Sequence, residues 1–305
     1  MRNKKEVSIS LGSIIVVLLI AVLIGLIIYA YKTINEIKND SAKNPEIHAA
    51  NENILKDGES VELNQENNEV KELIKKIDFP TYAVASIYKT KGFDVDTIEN
   101  DLILRLAWSK LEKELVENNV DNIGEYKQTA TKENLENSIT EIFGKNIEYT
   151  DETFTNIDVP TFYGNEANQG NVKYYNNTYT SNYIESEGGD VPFIHQQIEK
   201  VLKYNDRIEV YVKTAFIDTE YDEVSNEYDY IIYKDFKNNE FNKKITQMNS
   251  LKFLDAYSDQ ENKLECFREN SQIEKISDKL DTYVYTFILD EVDKNYYLNE
   301  FNKAE

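Results

Sequence analysis

The apolar positions of this chain fall into three regimes. From Val7 to Tyr31 they are almost continuous: no Lys, Arg, Asp, Glu or His interrupts the run, and Ile14 to Ile28 is built of Ile, Val and Leu with Ala21 and Gly25 between. Coiled as a helix at ~1.5 Å per residue, the run spans roughly 37 Å, more than the ~30 Å hydrocarbon core of a bilayer. From Val70 to Phe143 the apolar residues recur at helical spacing. After Gly144 the period falls towards two, the spacing of half-buried strands.

The middle regime predicts three helices. Val70, Leu73, Ile74 and Ile77 make the stripe of the first, which stops before Pro80. The second starts at Asp96, with Glu99 three residues on as in a capping box, and carries Leu104, Ala107, Trp108, Leu111 and Leu115. Leu102, Ile103 and Leu106 widen its apolar surface, so it is expected to be the most buried. The third starts near Thr131, places Leu135, Ile139, Ile142 and Phe143 on one face, and meets Gly144 where a left-handed cap is expected.

The last regime predicts antiparallel strands. Residues 172–175 and 178–181 flank Asn176-Asn177, a two-residue turn that tolerates positive φ. Residues 193–203 and 207–217 flank Asn205-Asp206, although Ile194, Ile198 and Leu202 also fit a helix face. Tyr228–Phe236 can pair back on 207–217, and Thr282–Leu289 with Tyr296–Phe301 flank a turn around Asp293-Lys294-Asn295. Between them, Ile273, Ile276 and Leu280 suggest one short helix. Helices followed by strands read as α+β, about three helices laid on one face of a curved antiparallel sheet. One domain over 69–305 is expected, with a division near residue 150 as the alternative.

Charge places these regimes relative to a membrane. The 305 residues carry 34 Lys+Arg against 56 Asp+Glu, a formal net charge of −22. Arg2, Lys4 and Lys5 precede the apolar run, which is longer than a cleaved signal segment and is followed by no small-residue cleavage site or Cys. Residues 1–6 then form a cytoplasmic stub, 7–31 an uncleaved signal anchor, 32–68 an acidic polar tether and 69–305 an extracytoplasmic domain. Residues 1–32 hold four cations and one anion, which leaves −25 on the rest. Such an excess of acid argues against a nucleic-acid partner, whose phosphates need Lys and Arg. The partners expected are the membrane, through 7–31, and a protein or other envelope component.

Candidate chemistry is sparse. One Cys excludes an intramolecular disulfide and cysteine-built metal sites, and two His exclude most histidine-built ones. A Ser–His–acid triad could use only His195, since His48 lies in the tether, and His195 reads as a surface or half-buried strand residue. Ser86-Ile87-Tyr88-Lys89 matches the S-x-x-K of penicillin-recognising enzymes, but Lys89-Thr90-Lys91-Gly92 departs from the partner K-T-G element, and the match is assigned to chance. Carboxylates gather at Asp218, Glu220, Asp222 and Glu223, and again at Asp290, Glu291 and Asp293. Asp94 and Asp96 lack the other ligands of a calcium loop. All three acidic groups read as solvated turns. Cys266 reads as a small apolar core residue, or, if exposed, a crosslink between two copies. Asn176-Asn177-Thr178 is formally a glycosylation sequon inside a tight turn. No catalytic, cofactor-binding or metal-binding residue is assigned, and no cofactor.

Asn134 to Gly144, Asn146 to Tyr149, Tyr283 to Phe287 and Asn295 to Leu298 resemble segments of uncharacterised single-pass membrane proteins of low-G+C Gram-positive bacteria. That resemblance implies no particular activity. In layout the chain is also similar to scaffold subunits of conjugation and type IV secretion machines, whose ectodomains have a nuclear-transport-factor- or cystatin-like fold. The leading expectation is a membrane-anchored extracytoplasmic binding or interaction domain without enzymatic activity. An assembly subunit of a secretion complex comes second. A cell-wall glycan hydrolase using a carboxylate pair comes third.

Overall fold

A computed structural model describes residues 58–112, 115, 118–119, 125–155, 171–184, 193–224, 226–237, 240–257, 264 and 266–304. The anchor expected at 7–31 and His48 lie outside these residues. No helix among the described residues is long and apolar enough to cross a membrane.

The first described element is a two-residue strand, β1 (Val61–Glu62), followed by three helices: α1 (Asn68–Ile77), α2 (Thr81–Lys89) and α3 (Asn100–Glu112). Strand β2 (Phe93–Asp94) lies between α2 and α3, and β3 (Asn118–Asn119) and β4 (Glu125–Thr131) precede α4 (Lys132–Phe143). Then come β5 (Phe154–Thr155), β6 (Asn171–Tyr175), β7 (Thr178–Ile184), β8 (Phe193–Lys203), β9 (Arg207–Asp222), β10 (Glu227–Lys237) and β11 (Glu240–Asn249). Two short helices, α5 (Ser250–Leu254) and α6 (Ser271–Glu274), lead to β12 (Asp281–Leu289) and β13 (Tyr296–Lys303). The class is α+β, with antiparallel sheets.

Each long helix has a local cause. Asn67 caps α1 by accepting from Glu69 N at 2.9 Å, and the expected stripe of Val70, Leu73, Ile74 and Ile77 is buried. At about 1.5–3 kcal/mol per buried aliphatic side chain, that stripe outweighs the helix's weak intrinsic propensity. Thr131 caps α4 in a reciprocal box with Asn134. Gly144 follows α4 at φ +82° and ψ 178°, so the positive φ is real but the conformation is not the left-handed helical cap expected. Helix α3 begins at Asn100 rather than Asp96. The Asp94 carboxylate accepts from Asp96 N at 2.9 Å and the Asp94 carbonyl from Thr97 N, closing a turn where the helix was expected to start. It ends at Glu112, before Leu115, and from Leu102 to Ser109 every side chain is buried.

Two elements depart from the helices-then-strands order. Helix α2 is additional to the three expected helices, and Pro80, before which the first helix stops, is its N-cap. Residues Ala83 to Tyr88 are buried on every side, so no apolar period marks them. Strand β4 precedes α4, and Gln128 beside Ala130 is buried on its inner face.

The described strands form two sheets rather than one. The larger runs β1-β8-β9-β12-β13-β2 with β10 and β11 branching from it, and the smaller runs β3-β4-β7-β6-β5. The branch is made by β9, whose Arg207–Thr214 half pairs with β12 and whose Phe216–Asp222 half pairs with β10, while β8 runs along its other edge. Even-numbered residues Ile208, Val210, Val212 and Phe216 face α1–α4 in the main core, which also holds Ala130, Phe154, Val172 and Tyr179 of the smaller sheet. Ala215 and Ile217 face the other way, into a second core with Tyr230, Ile232, Phe253, Ile273 and Leu280. Leu55–Glu305 form one compact unit.

Candidate functional site: a groove beside strand β8

The face of the large sheet that looks towards the helices is filled. Tyr88 meets Phe216, Tyr283 and Phe301 edge-on at ring separations of 4.6–5.1 Å, and Tyr283 stacks on Phe301. The buried carboxyl near this face, Asp78, accepts from Cys266 N at 3.0 Å. Inside the core Gln196 Nε2 donates to the hydroxyls of Tyr88 at 3.0 Å and Tyr285 at 2.9 Å. Burial pushes both phenols well above their ordinary range, so they act as neutral hydrogen-bonding groups.

Accessible chemistry lies instead along the outer edge of β8. Strand β1 covers only its far end, pairing Val61 with Lys203 and Glu62 with Leu202, and Leu63 N donates to Val201 O at 2.9 Å. These residues fall at the end of the stretch expected as tether. Further along, the edge is closed piece by piece. Gln65 Nε2 donates to Ile198 O at 3.3 Å, Gln196 N to Cys266 O at 2.8 Å, and Ile194 N to the Thr81 hydroxyl at 3.5 Å. An edge capped in this way does not accept another strand as a simple extension of the sheet.

Beside this edge runs a groove of about 740 Å³, walled by α1 and by the segment from Leu264 to Glu274. The second wall is firmly placed. Cys266 donates through Sγ to Phe79 O at 3.3 Å, and Asn270 donates to Phe253 O at 3.2 Å while capping α6 through Gln272 N and Ile273 N. On α1, Lys71 pairs with Glu66 at 2.6 Å and Lys75 with Glu72 at 2.7 Å. Such exposed pairs contribute about 0–1 kcal/mol each and yield readily to a competing ligand. On the other wall Arg268 Nε donates to Leu264 O at 2.7 Å, and among the described residues no ion pair engages Arg268, Glu269 or Glu274.

Gln196 and Gln197 also line this groove. They point to opposite faces of β8, and each has a buried side-chain oxygen with no hydrogen-bond partner from the protein. His195, one residue earlier, has a buried Nε2 in the same condition. An orphaned polar atom in an interior costs about 1–3 kcal/mol, and Trp108 Nε1 and Gln128 Oε1, away from the groove, are in the same condition.

His195 is not a surface or half-buried residue. It is 2% exposed, faces the second core beside Tyr257, and desolvation lowers its pKa to about 4. Ser86 is buried, donates to Tyr82 O at 3.0 Å and accepts from Arg105 at 3.1 Å, whereas Lys89 is exposed. Asp218 and Glu220 lie on β9 and Glu223 in the turn that follows; of Asp222 only the backbone is described. Asp290, Glu291 and Asp293 belong to the β12–β13 turn. Asp293 accepts from Tyr297 at 2.7 Å, which holds its carboxyl below the ordinary range. Asp94 and Asp96 sit in the turn before α3, and no group of three or more His, Cys, Asp or Glu among the described residues is placed to hold a metal. Cys266 is buried, which removes the crosslinking reading. Asn176 and Asn177 form the expected tight turn at φ +48° and +59°.

The groove was not foreseen from the sequence. The available signal is the polar triplet His195-Gln196-Gln197 between Ile194 and Ile198, where an alternating strand would put apolar groups on at least one face. No protein-family model matches this chain, and neither a curated protein nor a solved structure does.

Proposed function

We propose that this chain is a membrane-anchored extracytoplasmic binding domain without enzymatic activity, and that the β8 groove is where it binds. The observation that carries the reading is the groove itself, about 740 Å³ between two well-pinned walls and lined by Lys71, Lys75, Arg268 and Glu274. Support for the anchor comes from the uncharged run Val7–Tyr31 behind Arg2, Lys4 and Lys5. The helix-facing side of the large sheet is occupied by packed aromatic side chains.

Two measurements test this. In intact cells, added protease should digest the region after residue 32 while leaving a membrane-bound N-terminal fragment; a chain that washes off membranes with alkali removes the anchor. In the same cells, a photocrosslinker at Lys71 or Glu274 should capture an envelope component, and capture equal to that from a site on the β12–β13 turn counts against the groove.

A further inference from the structure

We infer that the free edge of strand β11 is a self-association surface, pairing antiparallel with the same edge of a second copy of this chain. The inference is independent of the β8 groove. Among the described residues β11 pairs with β10 along one edge and with no strand along the other. An open edge presents unpaired N–H and C=O groups to any extended chain that reaches it. The side chains beside it decide what it accepts.

Those side chains change sign along the edge. Lys244 pairs with Tyr233, Gln247 with Ile231 and Asn249 with Asp229, and the extra residue Ile245 is taken up in a bulge. Directly opposed residues share a face, so Lys244, Gln247 and Asn249 stand in one row, with Asp229 and Glu227 behind its far end. Lys244 donates to Gln247 Oε1, Gln247 Nε2 to Asp229 at 2.6 Å, and Asn249 Nδ2 to Glu227. On the next strand Glu220 lies opposite Asp229. Among the described residues no carboxylate pairs with Lys244, and no cation with Glu220, Glu227 or Asp229. The edge is basic at one end and acidic at the other.

Such a row is complementary to itself. Lys244 and Asn249 each lie two rungs of the ladder from Gln247. A two-fold axis through Gln247 therefore sets Lys244 opposite Asn249 of the partner subunit, beside the carboxylates behind it, and symmetry makes the contact twice. A parallel partner sets lysine against lysine, and a strand of one charge sign is repelled at one end. Edge lysines and bulges commonly defend against strand addition. Here they occupy one end, while Thr246 to Asn249 keeps a regular ladder, so they set the register and leave the edge open. Chains of formal charge −22 also repel as wholes. At physiological ionic strength that repulsion is largely screened beyond about 8 Å, whereas charges in contact still attract.

The test measures self-association of the purified full chain in detergent micelles by sedimentation at physiological ionic strength. The expected result is a concentration-dependent dimer. Lys244→Glu and Asp229→Lys should each weaken it about tenfold or more, because every reversal counts twice. Lys173→Glu, the same charge change on β6, should leave it unchanged. Mixing the two reversed variants should restore the dimer, since each edge then meets its opposite sign at both contacts. Melting temperatures near that of the parent show that the variants fold, and Glu227→Lys, at an exposed position, replaces Asp229→Lys if that variant does not. A dimer that persists in both variants, or that mixing fails to restore, overturns the interface. A monomer at every concentration overturns the inference and makes Lys243, Lys244 and the bulge a defence of the edge. In intact cells a photocrosslinker at Gln247 should capture this same chain; capture of a different protein alone overturns the second copy as occupant.

Discussion

The hydroxyl of Tyr88 lies 2.5 Å from Oγ1 of Thr214, joining helix α2 to strand β9 in the interior of the main core. Gln196 donates to the same phenol, so removing that oxygen leaves buried partners on both sides unsatisfied. Tyr88→Phe is expected to cost about 1–3 kcal/mol of unfolding free energy, read from urea titrations. Adding Thr214→Val to Tyr88→Phe should cost less than Thr214→Val alone, because the hydroxyl stranded by the first change is gone. Strictly additive losses would show that the two groups are not coupled.

His195 makes stability depend on acidity. Its pKa is about 4 in the fold and 6.5 unperturbed, so the unfolded chain binds the proton more readily. The contribution is therefore complete above pH 6.5, declines as pH falls towards 4, and is lost below that. The shift corresponds to about 3 kcal/mol. Urea midpoints at pH 7 and pH 4.5 should converge in His195→Met relative to the parent. Equal differences between the two pH values in both proteins would remove His195 as the cause.

Gly92 has φ +111°, and a Cβ there would come within 2.5 Å of both the Phe301 carbonyl oxygen and Asn302 Oδ1. Gly58 has φ +85° with nothing within 4 Å. Gly58→Ala then reports the backbone cost alone, about 1–2 kcal/mol, and Gly92→Ala adds the collision at the β2–β13 junction. Thermal melts should rank the Gly92 variant clearly lower. Similar melting temperatures would mean that β2 gives way at little cost.

Cys266 is 1% exposed, with its thiol donating to Phe79 O. A thiol reagent should leave the native chain unlabelled and react only as urea unfolds it, and oxidants should produce no disulfide-linked dimer on a non-reducing gel. Rapid labelling in buffer would place the Leu264–Glu274 wall in motion and loosen the groove with it.

What could be read from the sequence was local. The turn at Asn176-Asn177, the Thr131 start of α4 and the strands flanking Asn205-Asp206 each depend on neighbours in the chain, and the structure has them all. Helix α2 escaped because burial on every side erases the period that reveals a helix. Strand β4 escaped because the side chain buried beside Ala130 is Gln128. The single helix expected around Ile273, Ile276 and Leu280 is shorter than its spacing suggests: α6 ends at Glu274 and a 3₁₀ turn, Ser277–Lys279, follows. The groove assembles Gln65, Gln196 and Arg268 from distant parts of the chain, and no spacing rule joins them.

Strand β9, which changes partner at Ala215, also sets an order of assembly. Its Phe216–Asp222 half meets β10 across a short turn, a contact that closes quickly because little chain entropy is lost. Its Arg207–Thr214 half must wait for β12, which arrives only after β10, β11, α5 and α6 have been threaded past. The two halves of one strand therefore acquire their protection at different times, the hairpin half early and the β12 half late. Pulsed hydrogen exchange during refolding should show Ile231 and Ile232 amides protected ahead of those of Tyr283 and Tyr285, and the reverse order would place nucleation at the chain's C-terminal hairpin. Until β12 docks, Val210 and Val212 have an open strand edge beside them, and the late half of β9 is where a crowded refolding mixture would begin to aggregate.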